Sequence, residues 1–137
     1  MDTSKYLKME NQVYNWLVKK GNILIQKNGD CISLKLDYEN GEYCLLTHSD
    51  TAEIIELFTS ISKQIWESPD YKRKPYTHPF YKKTKNEYYW EIETSQLSLK
   101  YNEIEDAIEI KSNGNNSLNL EINYVIEIIQ ILELLKK

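Results

Sequence analysis

The sequence has few of the residues from which most catalytic and cofactor-binding motifs are built. Its 137 residues include four glycines, two histidines and two cysteines. Gly29, Gly41 and Gly114 each follow an asparagine, and the Asn-Gly pair is typical of tight β-turns. Gly21 follows two lysines, as at the C-terminal end of a helix. No glycine is left for a phosphate-binding loop, so we expect no nucleotide cofactor.

Metal and nucleophilic chemistry are also poorly supported. His48 and His78 are far apart in the sequence, and no Cys/His spacing typical of a metal site surrounds either one. Cys31 and Cys44 are placed too far out of register for a disulfide, which predicts two free thiols. No nucleophile elbow or Cys-His motif occurs. Acid pairs among twenty-one Asp and Glu residues leave acid–base chemistry open, but we predict a non-enzymatic protein without metal or cofactor.

The chain also lacks long apolar runs, and its net charge is mildly acidic. No run reaches the roughly 18–20 residues that a membrane span needs. The first residues lack the basic-then-apolar pattern of a signal peptide, which predicts a cytoplasmic protein. A net charge of −4 argues against general nucleic-acid binding. The single arginine, with many Lys, Asn, Ile and Tyr, indicates an AT-rich bacterial or phage genome.

The first half of the sequence predicts a helix, three strands and a second helix. The opening helix has candidate caps at residues 2–4, and its apolar residues Tyr6, Met9, Val13, Trp16 and Leu17 fall on one face. Two-residue turns at Asn28-Gly29 and Asn40-Gly41 give a meander in which Ile25 faces Ile32 and Leu36 faces Leu45. In that register one face carries Ile23, Ile25, Ile32, Leu34, Leu36, Tyr38, Tyr43 and Leu45.

The second predicted helix is capped by Asp50, with Glu53 at the capping-box spacing, and ends at Ser68-Pro69. Its apolar stripe consists of Ile54, Phe58, Ile61 and Ile65. In the second half, turns at Ser95-Gln96 and Ile104-Glu105 set Ile92 against Leu99 and Leu99 against Ile110. Asn113-Gly114 is a further turn. A last helix begins at Ser117 or Ile122 and ends at Leu135, leaving residues 117–121 as either strand or helix. It is apolar nearly all round except for Glu127, Gln130 and Glu133, and needs cover from another layer or a partner chain.

Together these elements predict a single α+β domain over residues 1–137, ordered α-βββ-α, connector, βββ-α. We expect an antiparallel sheet with the helices packed on one face. The first unit covers residues 1–69, a connector covers 70–86 and the second unit covers 87–137. The matching triplets at 33–35 and 98–100 leave a decayed duplication open.

The connector is the segment with the most unusual charge. Residues 71–86 contain six Lys or Arg and no acid, whereas the rest of the chain has eleven Lys or Arg and twenty-one acids. Three hypotheses fit this pattern: a solvated linker, a docking surface for an acidic protein, and a single-stranded nucleic-acid platform of lysines and stacking aromatics. The candidate partner-binding residues are Lys72, Arg73, Lys74, Tyr76, His78, Phe80, Tyr81, Lys82, Lys83 and Lys85.

The predicted order resembles the small dimeric chaperones of type III secretion, on the strength of residues 30–34 through Gly41 and the apolar helices at 54–65 and 122–135. In size and acidity the chain also resembles bacterial immunity proteins and phage-encoded inhibitors of host defence. We therefore expect a protein-binding protein of the immunity or inhibitor type, which neutralises a bacterial toxin or a host defence protein. The alternatives are a chaperone that dimerises through its last helix and a single-stranded nucleic-acid binder acting through residues 71–86.

Overall fold

The computed structural model describes residues 6–9, 13–38, 43–75, 79–113 and 117–136. It is a small α+β domain of two antiparallel sheets and two helices, which confirms the predicted fold class. The elements are β1 (Tyr6–Met9), β2 (Val13–Val18), β3 (Gly21–Asn28), β4 (Cys31–Tyr38), β5 (Cys44–Leu46), α1 (His48–Trp66), β6 (Lys82–Lys83), β7 (Glu87–Ile92), β8 (Ser95–Asn102), β9 (Ala107–Asn113), β10 (Ser117–Leu120) and α2 (Ile122–Leu135).

The strands form two five-stranded sheets rather than one. The first sheet has the order β1-β2-β3-β4-β10 and the second has the order β5-β9-β8-β7-β6. One face of each sheet joins a single apolar cluster that includes residues of both helices. The apolar faces predicted from strand alternation form this core, because Ile23, Ile25, Ile32, Leu34 and Leu36 are all buried.

The predicted N-terminal helix is wrong. Residues 6–9 and 13–18 are strands β1 and β2, and β2 pairs along its whole length with β3. The apolar residues of this segment fit helical spacing, but VYNWLV is also rich in the β-branched and aromatic residues that suit a half-buried strand. Gly21 therefore begins a strand instead of ending a helix. The candidate caps at residues 2–4 lie outside the described residues.

Two hairpin registers differ from the prediction by an even number of residues. Asn28 faces Cys31, so the first turn is Gly29-Asp30 and Ile25 faces Leu34. Ile92 faces Ser95, so the turn between β7 and β8 precedes the predicted one. An even slip keeps every side chain on its face, which is why the predicted core survives the wrong turns. The β8–β9 register is confirmed, with Leu99 facing Ile110 and Tyr101 facing Ile108.

The predicted pairing of residues 43–47 with β4 is wrong. β5 pairs with β9 in the second sheet, and the place beside β4 is taken by β10. Residues 117–120 are thus a strand, and α2 begins at Ile122. The Asn40-Gly41 and Asn113-Gly114 turns lie outside the described residues.

Helix α1 begins three residues earlier than predicted, because Asp50 is not its N-cap. Thr47 is its N-cap: the Asp50 N–H donates to Thr47 Oγ1, and the Thr47 N–H donates to the Asp50 carboxylate, both at 3.1 Å. Asp50 is thus the N3 residue of a capping box, three positions after the N-cap. The predicted stripe of Ile54, Phe58, Ile61 and Ile65 is buried. None of the described helices is long and apolar enough to cross a membrane.

The fold is an internal duplication of one ββββ-β-α unit. β1 to α1 form the first unit and β6 to α2 the second, with the same order of elements. Residues 13–18 and 21–28 correspond to 87–92 and 95–102, a constant offset of 74 residues. The triplets at 33–35 and 98–100 belong to different strands of the unit, β4 and β8, so they do not mark the repeat. Identical residues at the true offset include Tyr14/Tyr88, Trp16/Trp90, Asn28/Asn102, Glu53/Glu127, Ile54/Ile128 and Ile55/Ile129.

The two units exchange their fifth strands. β5 of the first unit lies beside β9 of the second, and β10 of the second lies beside β4 of the first. The exchanges match in register. Leu34 and Ile110 are equivalent positions, because they face Ile25 and Leu99, which lie 74 residues apart. Leu118 faces Leu34, and Cys44, 74 residues before Leu118, faces Ile110. This reciprocal arrangement is that of a strand-swapped dimer whose two copies are joined in one chain. The sheets therefore share one core and cannot separate without breaking strand pairs.

We predict that Gly21→Ala costs about 3 kcal/mol of unfolding free energy, because overpacking at this site involves rigid backbone. Gly21 has φ +154°, and a Cβ there would lie 2.0 Å from the Asp37 carbonyl oxygen and 2.9 Å from Cys44 Sγ. Gly29→Ala is the matched control, since Gly29 also has positive φ but open space around it. It should cost about 1 kcal/mol. If urea unfolding showed equal losses of unfolding free energy in the two variants, this account would be contradicted.

We predict that the Cys44 thiol reacts with Ellman's reagent only when the protein unfolds. Cys44 is fully buried, and burial raises its pKa to about 11. Because only the thiolate is reactive, the folded protein should show one slowly reacting thiol, the half-buried Cys31. Two thiols reacting at similar rates below the denaturation midpoint would contradict this prediction. The raised pKa also stabilises the fold below pH 9, and this contribution falls as the pH rises from 9 through 11.

Candidate partner-binding surface

The described parts of the connector, residues 70–75 and 79–86, contact helix α2 and the second sheet. At its start, Lys74 Nζ lies 3.0 Å from Glu121 Oε1, just before α2. Further along, the Phe80 ring packs against Tyr124 of α2, with the ring centroids 5.1 Å apart and the planes tilted by 36°. Lys82 and Lys83 then form β6 against β7. The connector thus supplies part of the cover that the apolar helix needs.

A buried carboxylate fixes the middle of the connector. Glu127 projects from α2 and has no exposed surface. The backbone N–H of Phe80 donates to both of its oxygens, at 2.8 and 3.1 Å, and the N–H of Tyr81 donates at 3.1 Å. Trp90 Nε1 of β7 donates to the same carboxylate at 3.0 Å. One side chain therefore joins the connector, α2 and the second sheet.

The Tyr81 ring packs against other aromatic residues of the fold. It meets Tyr88 edge-on at 5.7 Å and Trp90 at 6.2 Å, and the side chain is half-buried. Such edge-to-face pairs add about 0.5–1.5 kcal/mol beyond burial. Of the predicted partner-binding residues, Tyr81 is thus placed as an anchor, while Tyr76 and His78 lie outside the described residues.

The remaining predicted residues are exposed cations and Phe80. Lys74 and Lys82 are partly neutralised, by Glu121 at 3.0 Å and Glu91 at 3.2 Å. Arg73 lies 4.1 Å over the Trp66 ring and Lys83 lies 5.1 Å over the Tyr88 ring. Within the described parts of the chain, no carboxylate pairs with Lys72, Arg73, Lys83 or Lys85.

Sequence reasoning placed Glu127 on a solvated edge of α2 and missed its role. A signal was present, because Glu53 accepts a hydrogen bond of 3.0 Å from Trp16 Nε1 in the first unit. Both Trp–Glu pairs span 37 residues. Comparing the sequence with itself at an offset of 74 aligns the two pairs and identifies these acids as repeated structural residues.

The described residues offer no cluster of three or more His, Cys, Asp or Glu side chains that could hold a metal ion. His48 lies at the first position of α1, with Nε2 3.6 Å from Asp106 in the β8–β9 turn. The pKa of Asp106 is lowered, first by the hydroxyl of Tyr101, which donates a short hydrogen bond, and then by His48. These contacts join α1 to the second sheet at the surface.

We predict that Glu127→Gln costs about 2 kcal/mol and Glu127→Ala about 3 kcal/mol of unfolding free energy. A glutamine offers one acceptor where two carboxylate oxygens now accept, and an alanine leaves three N–H groups without this acceptor, including the buried indole N–H of Trp90. Limited proteolysis should cut both variants between residues 71 and 86 faster than the wild type.

The matched control is Glu133→Gln, an exposed acid on the same helix. It should change the stability by less than about 0.5 kcal/mol and leave the cleavage rate unaltered. Wild-type stability and cleavage in Glu127→Gln would show that the carboxylate does not hold the connector.

No protein-family model matches this chain, and no curated protein is significantly similar to it in sequence.

Proposed function

We propose that this protein is a non-enzymatic cytoplasmic binding protein of the immunity or inhibitor type. It neutralises a protein partner, either a bacterial toxin or, in a phage, a host defence protein. The observation that carries the proposal is the attachment of the basic connector to a buried carboxylate. Glu127 holds the backbone at Phe80 and Tyr81, so the neighbouring cations occupy defined positions.

Charge supports a protein partner with an acidic surface. Lys72, Arg73, Lys83 and Lys85 are exposed and have no ion-pair partner among the described residues, whereas the chain as a whole carries −4. A localised basic surface on an acidic protein steers an acidic partner and repels like-charged ones. Ordering of the connector before binding lowers the entropy that the complex loses.

The structure supports the dimeric chaperone hypothesis less than the sequence does. The predicted order behind this resemblance begins with a helix, where the described residues 6–9 and 13–18 are strands, and its dimer seam required an uncovered α2. α1, both sheets and the connector now leave only Leu134 exposed among the large apolar residues of α2. Dimerisation itself remains a prediction, to be measured by light scattering.

The proposal is tested by recovering the partner from the source organism with the tagged full chain. The expected result is one stoichiometric protein, encoded beside this gene, whose toxic or defensive activity is blocked by the purified chain. Failure to recover any stable protein partner, together with tight binding of labelled single-stranded oligonucleotide at moderate salt, would overturn it in favour of the nucleic-acid hypothesis.

We predict that Lys72→Glu/Arg73→Glu lowers the association rate constant for this partner about tenfold and changes the dissociation rate little. The effect should shrink as ionic strength rises, because salt screens exposed charges. Lys35→Glu/Lys63→Glu is the control, with the same change in net charge outside the connector. Equal effects of the two double variants in stopped-flow or surface plasmon resonance would contradict a localised docking surface.

A further inference from the structure

An open cleft lies where the second sheet meets the last turn of α2. Its volume is about 420 Å³, within the range of roughly 300–1,000 Å³ that protein ligand sites occupy. Tyr88, Tyr101 and Leu135 are its buried or half-buried lining residues, and Lys83, Lys85 and Glu103 are exposed at its rim. The cleft thus places two tyrosine rings and a leucine beside charged residues and the exposed amide of Asn86.

The rim is asymmetric in charge. Lys83 and Lys85 stand on the connector side without ion-pair partners among the described residues, and Glu103 supplies the acid of the lining set.

The internal repeat distinguishes residues that both units share from residues that occur in only one unit. Residues shared by the two units at the offset of 74, such as Trp16/Trp90 and Glu53/Glu127, are buried or bonded within the fold. The cleft residues, apart from Tyr88, are not shared. Lys83, Lys85, Tyr101 and Glu103 correspond to Met9, Asn11, Lys27 and Gly29 in the first unit.

We infer that this cleft binds an acidic segment of the partner protein that carries a large apolar side chain. The apolar side chain packs between Tyr88, Tyr101 and Leu135, and the flanking carboxylates of the segment meet Lys83 and Lys85. Repulsion by Glu103 fixes which end of the acidic segment lies at which side of the cleft. The inference rests on the proposed function and adds the chemistry of the partner.

The test is selection of random phage-displayed peptides on the immobilised full chain, followed by affinity measurement with the synthetic peptides. Enriched peptides should carry a Leu, Phe or Trp flanked by Asp or Glu. Lys83→Glu/Lys85→Glu should weaken their binding at least about tenfold, whereas Glu103→Lys should strengthen it about threefold. Lys35→Glu/Lys63→Glu, with the same net charge as the first variant, should bind within about twofold of the wild type. Thermal unfolding checks that each variant is folded.

Selection that enriches no peptide, or peptides without acids, would overturn the inference, as would an affinity that both rim substitutions leave unchanged. These failures are distinguishable from failure of the proposed function. A partner that is recovered and neutralised, but binds Lys83→Glu/Lys85→Glu with unchanged affinity, overturns the cleft alone. Failure to recover any stable protein partner, together with tight binding of single-stranded oligonucleotide, overturns the function.

Discussion

The arrangement of the second unit depends on the hydrogen bonds of one buried carboxylate. A carboxylate removed from water is stable only where donors replace its solvation, and Glu127 receives the N–H groups of Phe80, Tyr81 and Trp90. Because those donors belong to the connector and to β7, the same bonds fix the connector against α2. Lys82 and Lys83 follow Phe80 and Tyr81 directly in β6, so the same bonds position the start of that strand.

The same device appears in both units, since Glu53 accepts from Trp16 as Glu127 accepts from Trp90. The duplication also explains the exchanged strands. A single unit would leave the place beside its fourth strand open, and the matching unit fills it with β5 or β10. Both halves of the core therefore have the same arrangement of strands and helix. The surface residues are then free to differ, as they do at the cleft between Tyr88 and Leu135.

The parts of the fold that follow from local pattern were predictable from the sequence. The apolar faces of β3 and β4, the stripe of α1 and the β8–β9 register depend on alternation and spacing, which the sequence displays directly. The exchange of β5 and β10 was not predictable from alternation, because a strand with one buried face pairs equally well with either neighbour. The N-terminal strands were mistaken for a helix because Tyr6, Met9, Val13 and Trp16 fit helical spacing, whereas the strand signal lay in the β-branched and aromatic composition of β2. The buried role of Glu127 was not predicted, because a glutamate on a helix is usually solvated. Only the repeat of the Trp–Glu pair identifies this role.

The most direct test of this account is amide hydrogen exchange of Phe80 and Tyr81 in the folded protein, followed by NMR together with the indole N–H of Trp90. If Glu127 holds the connector, both amides should exchange as slowly as those in the core of α2, and all three signals should lose protection together in Glu127→Gln. Exchange of the Phe80 and Tyr81 amides at the rate of an unstructured peptide would contradict it.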